Sequence, residues 1–225
     1  MLIDLDASDL PPPPHEISFS NLCSGDSDIA GSRNKQGMTL VSKSHPLRGD
    51  AETCIQNVYE RVFGVRDLVL PNNLIAWLDR DGALSCAAGL RVADDGFFSE
   101  IYLDAPIEQV LSVLSGRTVA REAIFEVTTL ASRSSDVSPA FMRQIGVMGK
   151  KAGFEWLFFT ATSRLRRLLI RLGVATLELA PAQARKVARP EQWGSYYAHD
   201  PCVCAINDRA VDENGVAYRV KPKHA

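Results

Sequence analysis

Three charged residues stand in stretches that otherwise predict strands: Arg91, Glu100 and Glu126. A charge in an apolar stretch is costly to bury unless it has a partner or a ligand. Arg91 carries the planar guanidinium that binds a carboxylate or a phosphate through two parallel hydrogen bonds. Glu126 is a candidate general base, which needs a raised pKa and an amine within hydrogen-bond reach. The pattern predicts a small-molecule pocket on a sheet, although an ion pair between Glu126 and Arg91 or Arg121 explains the same residues structurally.

Further polar residues accompany these charges. Glu100 lies in a short predicted strand, where it either contacts a substrate or forms a structural ion pair. Thr128 and Thr129 follow Glu126 towards the end of a predicted strand. Their hydroxyls are candidates for binding a substrate, although threonine is also common in strands because of its shape.

The elements that must position these residues alternate between strands and helices. The helix over residues 50–63 has apolar residues at i, i+3, i+4 and i+7, and Gly64 can end it. A fully apolar stretch over residues 156–160 predicts a buried strand. The complete prediction is helices over residues 50–63, 106–114, 138–152, 163–172 and 181–188, and strands over residues 74–78, 83–92, 97–103, 122–131, 156–160, 176–179 and 202–206. The fold class is therefore α/β or α+β.

Length and composition bound the organisation of the chain. Its 225 residues are enough for one sizeable core, and 46% hydrophobic with 23% charged residues is typical of a globular protein. Pro11–Pro14 and a Ser/Asn/Asp/Gly-rich stretch predict a flexible tail. We predict this tail over residues 1–45, one domain over residues 46–207 and a peripheral segment over residues 208–225. A net charge of −2 does not indicate nucleic-acid binding.

The sequence argues against a membrane span, a secretory signal, a disulfide framework and a metal site. No apolar run approaches the roughly 20 residues that span a bilayer, and the acidic first residues do not resemble a secretory signal. Five scattered cysteines fit reduced thiols better than a disulfide framework, which predicts a cytoplasmic protein. Cys202 and Cys204 could face one way on a strand, but no second pair has ligand spacing, so we expect no metal.

Eight short strings stand in a fixed order between residues 89 and 197. They are Gly89-Leu-Arg91, Glu100-Ile-Tyr-Leu103, Pro106-Ile-Glu108, Arg121, Phe125-Glu-Val127, Leu130-Ala-Ser132, Phe159-Thr-Ala-Thr162 and Trp193-Gly-Ser-Tyr-Tyr197. Together, in this order and spacing, they resemble the thermostable hemolysin family. The fold of that family is similar to the GNAT acyltransferases, near the acyl-homoserine lactone synthases.

The resemblance implies a GNAT-like fold with a mixed, mostly antiparallel central sheet flanked by helices. It also implies the transfer of an acyl group from a thioester to an amine. In that reaction Glu126 is the candidate base, Arg91 the anion-binding residue and Tyr197 the candidate acid, with core packing as the alternative for Tyr197. The chain has Thr128 and Thr129 where the family pattern has Gly-Asn.

The same resemblance implies a thioester co-substrate, either acyl-CoA or an acyl carrier protein. Leu130, Arg143 and Gly146 are the candidate residues for binding it. The nearest match to the phosphate-binding loop of GNAT enzymes is Arg143-Gln-Ile-Gly146-Val-Met148, in which Met148 occupies the last small position and the string falls inside a predicted helix. The acceptor is a small-molecule amine, and the acyl chain, the acceptor and the oligomeric state are not indicated.

Two other functions remain open from the sequence. One is a membrane-active hemolysin, which the family name suggests but the lack of a signal or spanning segment does not favour. The other is a catalytically inactive binding module of the same fold. Arg164, Arg167 and Arg171 line one face of a predicted helix, which is either solvated or a surface for an acidic carrier protein or anionic lipid.

Overall fold

The central layer of the protein is a seven-stranded sheet. Our computed structural model describes residues 36–134 and 139–207. The strands are β1 (Gly37–Val41), β2 (Asn73–Leu78), β3 (Leu84–Arg91), β4 (Ile124–Ser132), β5 (Trp156–Ala161), β6 (Leu177–Pro181) and β7 (Cys202–Asn207). Their order across the sheet is β1-β2-β3-β4-β5-β7-β6. The β4–β5 pair is parallel, and the other neighbouring strands pair antiparallel.

Four α-helices of the described ranges flank this sheet. They are α1 (Arg48–Phe63), α2 (Ile107–Ser115), α3 (Pro139–Lys151) and α4 (Ser163–Arg171). Buried side chains such as Ile55 of α1 and Ile107 of α2 pack on one face, and Phe141 of α3 and Leu169 of α4 pack on the other. The predicted fold class, a mixed and mostly antiparallel sheet flanked by helices, is confirmed. None of the helices in these ranges is long and apolar enough to cross a membrane.

Local chemistry explains where the helices begin and end. At the end of α1, Gly64 takes a φ of 77° and its N–H donates to the Glu60 carbonyl at 2.9 Å, as expected for a glycine at this position. At the start of α4, the Thr162 hydroxyl accepts a hydrogen bond from the N–H of Leu165, which satisfies one of the free donors of the first turn. Both ends agree with the sequence pattern to within a residue or two.

Two local predictions are wrong. Residues 97–103 do not form a strand, because Ser99–Tyr102 is a 3₁₀ turn. The reason is a distant carboxylate: Glu126 on β4 accepts hydrogen bonds from the N–H groups of Phe98 and Ser99 at 2.7 and 2.8 Å, which draws this backbone onto the sheet. The basic helix predicted over residues 181–188 is only a 3₁₀ turn, Ala184–Lys186, since β6 extends to Pro181 and the Ala182 N–H donates to Pro201.

The sheet also includes residues that the sequence placed in the tail. Strand β1 pairs with β2 from Gly37 opposite Leu78 to Val41 opposite Leu74. Val41 is fully buried, so the ordered part of the chain begins before residue 46. The remainder of the predicted tail, the whole C-terminal segment over residues 208–225 and Ser138, the predicted cap of α3, lie outside the described residues.

A cluster of charges joins the 3₁₀ turn to α2. Arg121 donates two hydrogen bonds to Glu100, at 2.6 and 2.7 Å, and one to Glu108 at 2.7 Å. The N–H of Ile107 donates to Glu100 at 2.9 Å, and the Arg121 guanidinium lies 4.4 Å from the centre of the Phe97 ring. Burial favours a higher pKa for the Glu100 carboxyl, but the bonds from Arg121 and Ile107 outweigh it and lower that pKa.

We expect Arg121→Ala to lower the free energy of unfolding by about 3 kcal/mol, because it leaves two partly buried carboxylates without their cation. Arg121→Lys should lose less, since it keeps the charge but not the planar fork. Urea denaturation measures both changes. The exposed Arg167→Ala is the matched control and should fall within about 0.5 kcal/mol of the parent chain. An unchanged unfolding midpoint for Arg121→Ala would show that the cluster is not structural.

Candidate active site

The neighbouring strands β4 and β5 separate in the middle of the sheet. Their parallel pairing extends from Ile124 opposite Trp156 to Val127 opposite Phe159, and β4 then continues to Ser132 without pairing to β5. Two strands that diverge in this way leave backbone groups and an opening between them, which another molecule can fill. The site is built around this opening.

A cavity of about 650 Å³ occupies the opening. We call it the large cavity. Its walls come from both layers of helices, with Tyr59 of α1 on one side and Met142 of α3 and Leu168 of α4 on the other. Most of the lining is apolar, including Phe125, Val127, Leu130, Ile145, Phe154, Phe159, Leu165, Leu169 and Ile206. This is the volume and character of a site for a small molecule with an extended apolar part.

Basic residues contribute to the wall of the large cavity. They are Arg61, Arg133, Arg143, Lys150, Arg164 and Arg171. Glu155 is the acidic residue of the described lining, and it forms an ion pair with Arg117. Because cations outnumber anions there, the wall favours a ligand that carries negative charge as well as an apolar part.

A second cavity, of about 280 Å³, lies on the α1 and α2 face of the sheet. We call it the small cavity. Five residues line both cavities: Tyr59, Val127, Thr129, Thr160 and Tyr196. The two cavities therefore adjoin at the point where β4 leaves β5.

The backbone of β4 is distorted at this junction. Gly89 of β3 pairs with Thr128, whereas Ala87 pairs with Ala131, so β4 has one residue more than β3 in this stretch. Such a β-bulge leaves backbone groups unpaired and bends the strand. Thr129 has a φ of 47°, which is unusual for a β-branched residue. Strain of this kind concentrates at functional sites.

Three residues that line the small cavity each have a buried hydrogen-bonding atom without a partner in the described part of the chain. These atoms are Arg91 Nε, Thr128 Oγ1 and Thr129 Oγ1. The Arg91 side chain is nevertheless fixed, because its Nη1 donates to the carbonyls of Asp95 and Gly96, both at 3.3 Å. Buried polar atoms are normally satisfied, so these three atoms are candidates for binding a ligand. These predicted substrate-binding residues thus lie together, with donors available.

The carboxylate of Glu126 does not reach either cavity directly. The side chain is fully buried on β4, and the described residues place neither Arg91 nor Arg121 in an ion pair with it. It does lie behind Ser99, whose hydroxyl is 2.8 Å from that of Thr160, a residue lining both cavities. Burial raises the pKa of Glu126, and hydrogen bonds from Ser99 and Phe98 offset that rise only in part.

The other predicted site residues are placed differently. The carboxylate of Glu100 faces Arg121, away from the lining of both cavities. Tyr197 does not line them either, but its hydroxyl is 2.7 Å from that of Tyr102, which lines the small cavity. Burial raises the pKa of both phenols. Each therefore keeps its proton at neutral pH.

The three residues predicted to bind the coenzyme all line the large cavity. They are Leu130, Arg143 and Gly146. Gly146 is an interior residue of α3, where a backbone N–H is used in the helix. The string from Arg143 to Met148 is therefore a helical wall and not a loop that presents backbone N–H groups. Among the described residues, no cluster of three or more His, Cys, Asp or Glu could hold a metal ion.

Sequence reasoning missed three residues that the structure brings to the site, and it weighed a fourth, Tyr196, only together with Tyr197 as a candidate acid or a core residue. Ser99 and Thr160 connect Glu126 to the junction, and Tyr59 and Tyr196 line both cavities. Burial raises the pKa of the Tyr196 hydroxyl well above its usual value. Thr160 and Tyr196 stand within the strings Phe159–Thr162 and Trp193–Tyr197, which was the available signal, whereas Ser99 and Tyr59 lie outside the eight strings.

We expect Thr129→Asn to raise the free energy of unfolding by about 1 kcal/mol, because asparagine tolerates a positive φ better than a β-branched residue. The same variant should lower thioester turnover if the Thr129 hydroxyl binds substrate. Thr129→Ser keeps the hydroxyl and is the control for turnover. Thermal and urea unfolding measure the change in stability. If Thr129→Asn is no more stable than the parent chain, the positive φ of Thr129 does not strain the backbone.

The fold of this chain is similar to that of several solved structures. The AHL synthase LasI has a TM-score of 0.52 to this chain at 11% identity, covering 84% of this chain and 100% of LasI. The CoA-dependent acyl-homoserine lactone synthase MesI gives 0.45 at 15% identity, covering 80% of this chain and 91% of MesI. FeeM, an N-acyl amino acid synthase from uncultured soil microbes, gives 0.49 at 11%, covering 78% and 92%. The likeness to LasI shows a GNAT-like fold of the AHL synthase type.

The chain matches the family described as thermostable hemolysin over residues 41–211. It belongs to that family, as the eight strings indicate. None of the curated proteins compared with the chain matches it.

Proposed function

We propose that the protein is an N-acyltransferase that moves an acyl group from a thioester to an amine. The observation that carries this proposal is that two cavities adjoin at the β4 bulge. The large cavity suits an acyl chain attached to a negatively charged carrier, and the small cavity, with Arg91, Thr128 and Thr129 in its lining, suits a small acceptor that carries a polar group. The chain also shares its fold with an acyl-homoserine lactone synthase. This likeness supports acyl transfer by analogy only, and it assigns no role to any residue.

The acyl chain lies among the apolar residues of the large cavity in this proposal. The basic side chains of the wall then face the phosphates of coenzyme A or of the phosphopantetheine of an acyl carrier protein. Arg143 contributes a side-chain charge, while Leu130 and Gly146 contribute shape. Both donors occur in the cytoplasm, which agrees with the four described cysteines being free thiols.

The acceptor amine reaches the thioester carbonyl from the small cavity. Its nitrogen attacks the carbonyl carbon, a C–N bond forms, the C–S bond breaks and the thiolate leaves. The amine proton passes through the hydroxyls of Thr160 and Ser99 to Glu126, and the same hydroxyls return it to the leaving thiolate, which becomes a thiol while Glu126 becomes ionised again. Glu126 thus acts as the base through two hydroxyls. Tyr197 acts only by holding the Tyr102 hydroxyl.

The pH dependence of turnover tests the role of Glu126. A buried base works only when deprotonated, and burial raises its pKa. We therefore expect kcat/KM to rise with pH through a value above the usual carboxyl pKa of about 4.3. Release of free thiol from an acyl thioester measures the rate. Ser99→Ala should flatten the acidic limb; an unchanged limb in that variant would exclude the relay.

A further inference from the structure

Arg91 lines the small cavity, and one edge of its guanidinium has no hydrogen-bond partner among the described residues. Its Nη1 is held by the carbonyls of Asp95 and Gly96. Among the described residues, Nε has no hydrogen-bond partner, and no bond from Nη2 is formed either. The Nε–Nη2 edge carries two parallel N–H groups, the geometry that matches the two oxygens of a carboxylate. The edge therefore fits an acceptor that carries a carboxylate.

The remaining lining of the small cavity suits the rest of such a molecule. Thr128 and Thr129 line the same cavity, and their hydroxyls are also without a hydrogen-bond partner among the described residues. Aromatic side chains form much of the wall: Tyr59, Phe98, Tyr102, Trp193 and Tyr196. A volume of about 280 Å³ is at the small end of ligand cavities. Size, charge and wall together fit an amino acid with an apolar or aromatic side chain.

We propose that the acceptor is an α-amino acid held through its carboxylate by Arg91, and that its N-acylated product, an anionic amphiphile, lyses membranes without the protein. The inference rests on the proposed acyl transfer. The amide formed from the two ligands joins an apolar chain, which occupied the large cavity, to a carboxylate, which occupied the small one. A molecule of this shape partitions into bilayers.

This product also gives the family description a chemical meaning. The described residues contain no helix that could cross a membrane, and the apolar surface that shapes the site is turned inward to the large cavity. A small amphiphile has no fold to lose and stays active after heating. Lytic activity that survives heat is therefore the activity expected of the product.

The acceptor is tested with matched pairs of amines. Leucine and phenylalanine are compared with isoamylamine and phenethylamine, which lack only the carboxylate, using dodecanoyl-CoA and dodecanoyl carrier protein as donors. Thiol release should give a kcat/KM about 100-fold higher for the amino acids, because the amines leave a buried cation unpaired. Arg91→Gln should abolish this preference. Equal rates for both members of each pair would overturn the carboxylate assignment.

The lytic agent is tested with phosphatidylcholine vesicles loaded with carboxyfluorescein. A complete reaction is heated, filtered to remove the protein and added to the vesicles, with unheated protein alone and a Glu126→Gln reaction as comparisons. The filtrate of the complete reaction should release dye, and the two comparisons should not. Dye release by the protein alone, or an inactive filtrate that contains the amide, would contradict the proposal. Absence of thiol release with every amine would instead reject the acyl transfer itself.

Discussion

Replacing Glu126 by glutamine is expected to reduce thioester turnover by about 100- to 10,000-fold, the range supplied by a positioned base. The carboxylate is fully buried, and burial raises its pKa above the usual value. Glutamine has a similar shape but cannot accept the amine proton. Thiol release under saturating donor and acceptor measures the change in kcat.

Two controls separate chemistry from folding in this experiment. Both oxygens of Glu126 accept backbone N–H groups, from Phe98 and Ser99. A glutamine amide places a donor against one of them, so the variant must be shown to fold by circular dichroism and urea titration. Thr160→Val removes the hydroxyl nearest the junction but leaves the contacts of Glu126 intact. It should be folded and still impaired.

If the folded Glu126→Gln variant turns over thioester at the rate of the parent chain, Glu126 is not the general base. Activity lost in Glu126→Gln but retained in both Ser99→Ala and Thr160→Val would leave Glu126 as the base and remove the hydroxyl relay.

Filling the large cavity should change the choice of donor. Leu168 of α4 lines this cavity and is only half-buried. We expect Leu168→Trp to lower kcat/KM for dodecanoyl-CoA by about 100-fold and to affect acetyl-CoA by less than about threefold, because the larger ring occupies space needed by a long chain. Initial rates of thiol release with the two donors measure the difference.

Leu168→Met, with nearly the same volume, is the matched control and should keep the chain-length preference of the parent. The assignment of the large cavity to the acyl chain is wrong if Leu168→Trp slows both donors equally while the protein remains folded.

Periodicity predicted the elements whose own residues determine them. The i, i+3, i+4 pattern of α1 and the buried apolar stretch of β5 are local signals, and both elements lie where expected. The turn at Ser99–Tyr102 is different, because hydrogen bonds to Glu126, 27 and 28 residues away, determine it. The residues next to this turn in the sequence do not include Glu126, so local sequence patterns could not predict the turn.

In the candidate site, too, the sequence indicated some residues, and only the fold brings the others together. Arg91 and Glu126 stood out because charges on strands are rare, and they do lie opposite one another in the β3–β4 register. Ser99 and Thr160 are 61 residues apart and common in type, so only the folded sheet brings their hydroxyls within 2.8 Å. The strain at Thr129 was equally hidden, since a backbone angle depends on the bulge and not on the residue.

Mass spectrometry of the products tests the central claim most directly. The purified protein is incubated with dodecanoyl-CoA or dodecanoyl carrier protein and a mixture of amino acids, with the heat-inactivated protein as the blank. We predict an N-dodecanoyl amide, formed in equal amount to the thiol released and absent from the Glu126→Gln reaction. No amide above the blank with either donor would contradict the assignment of the two cavities to acyl transfer.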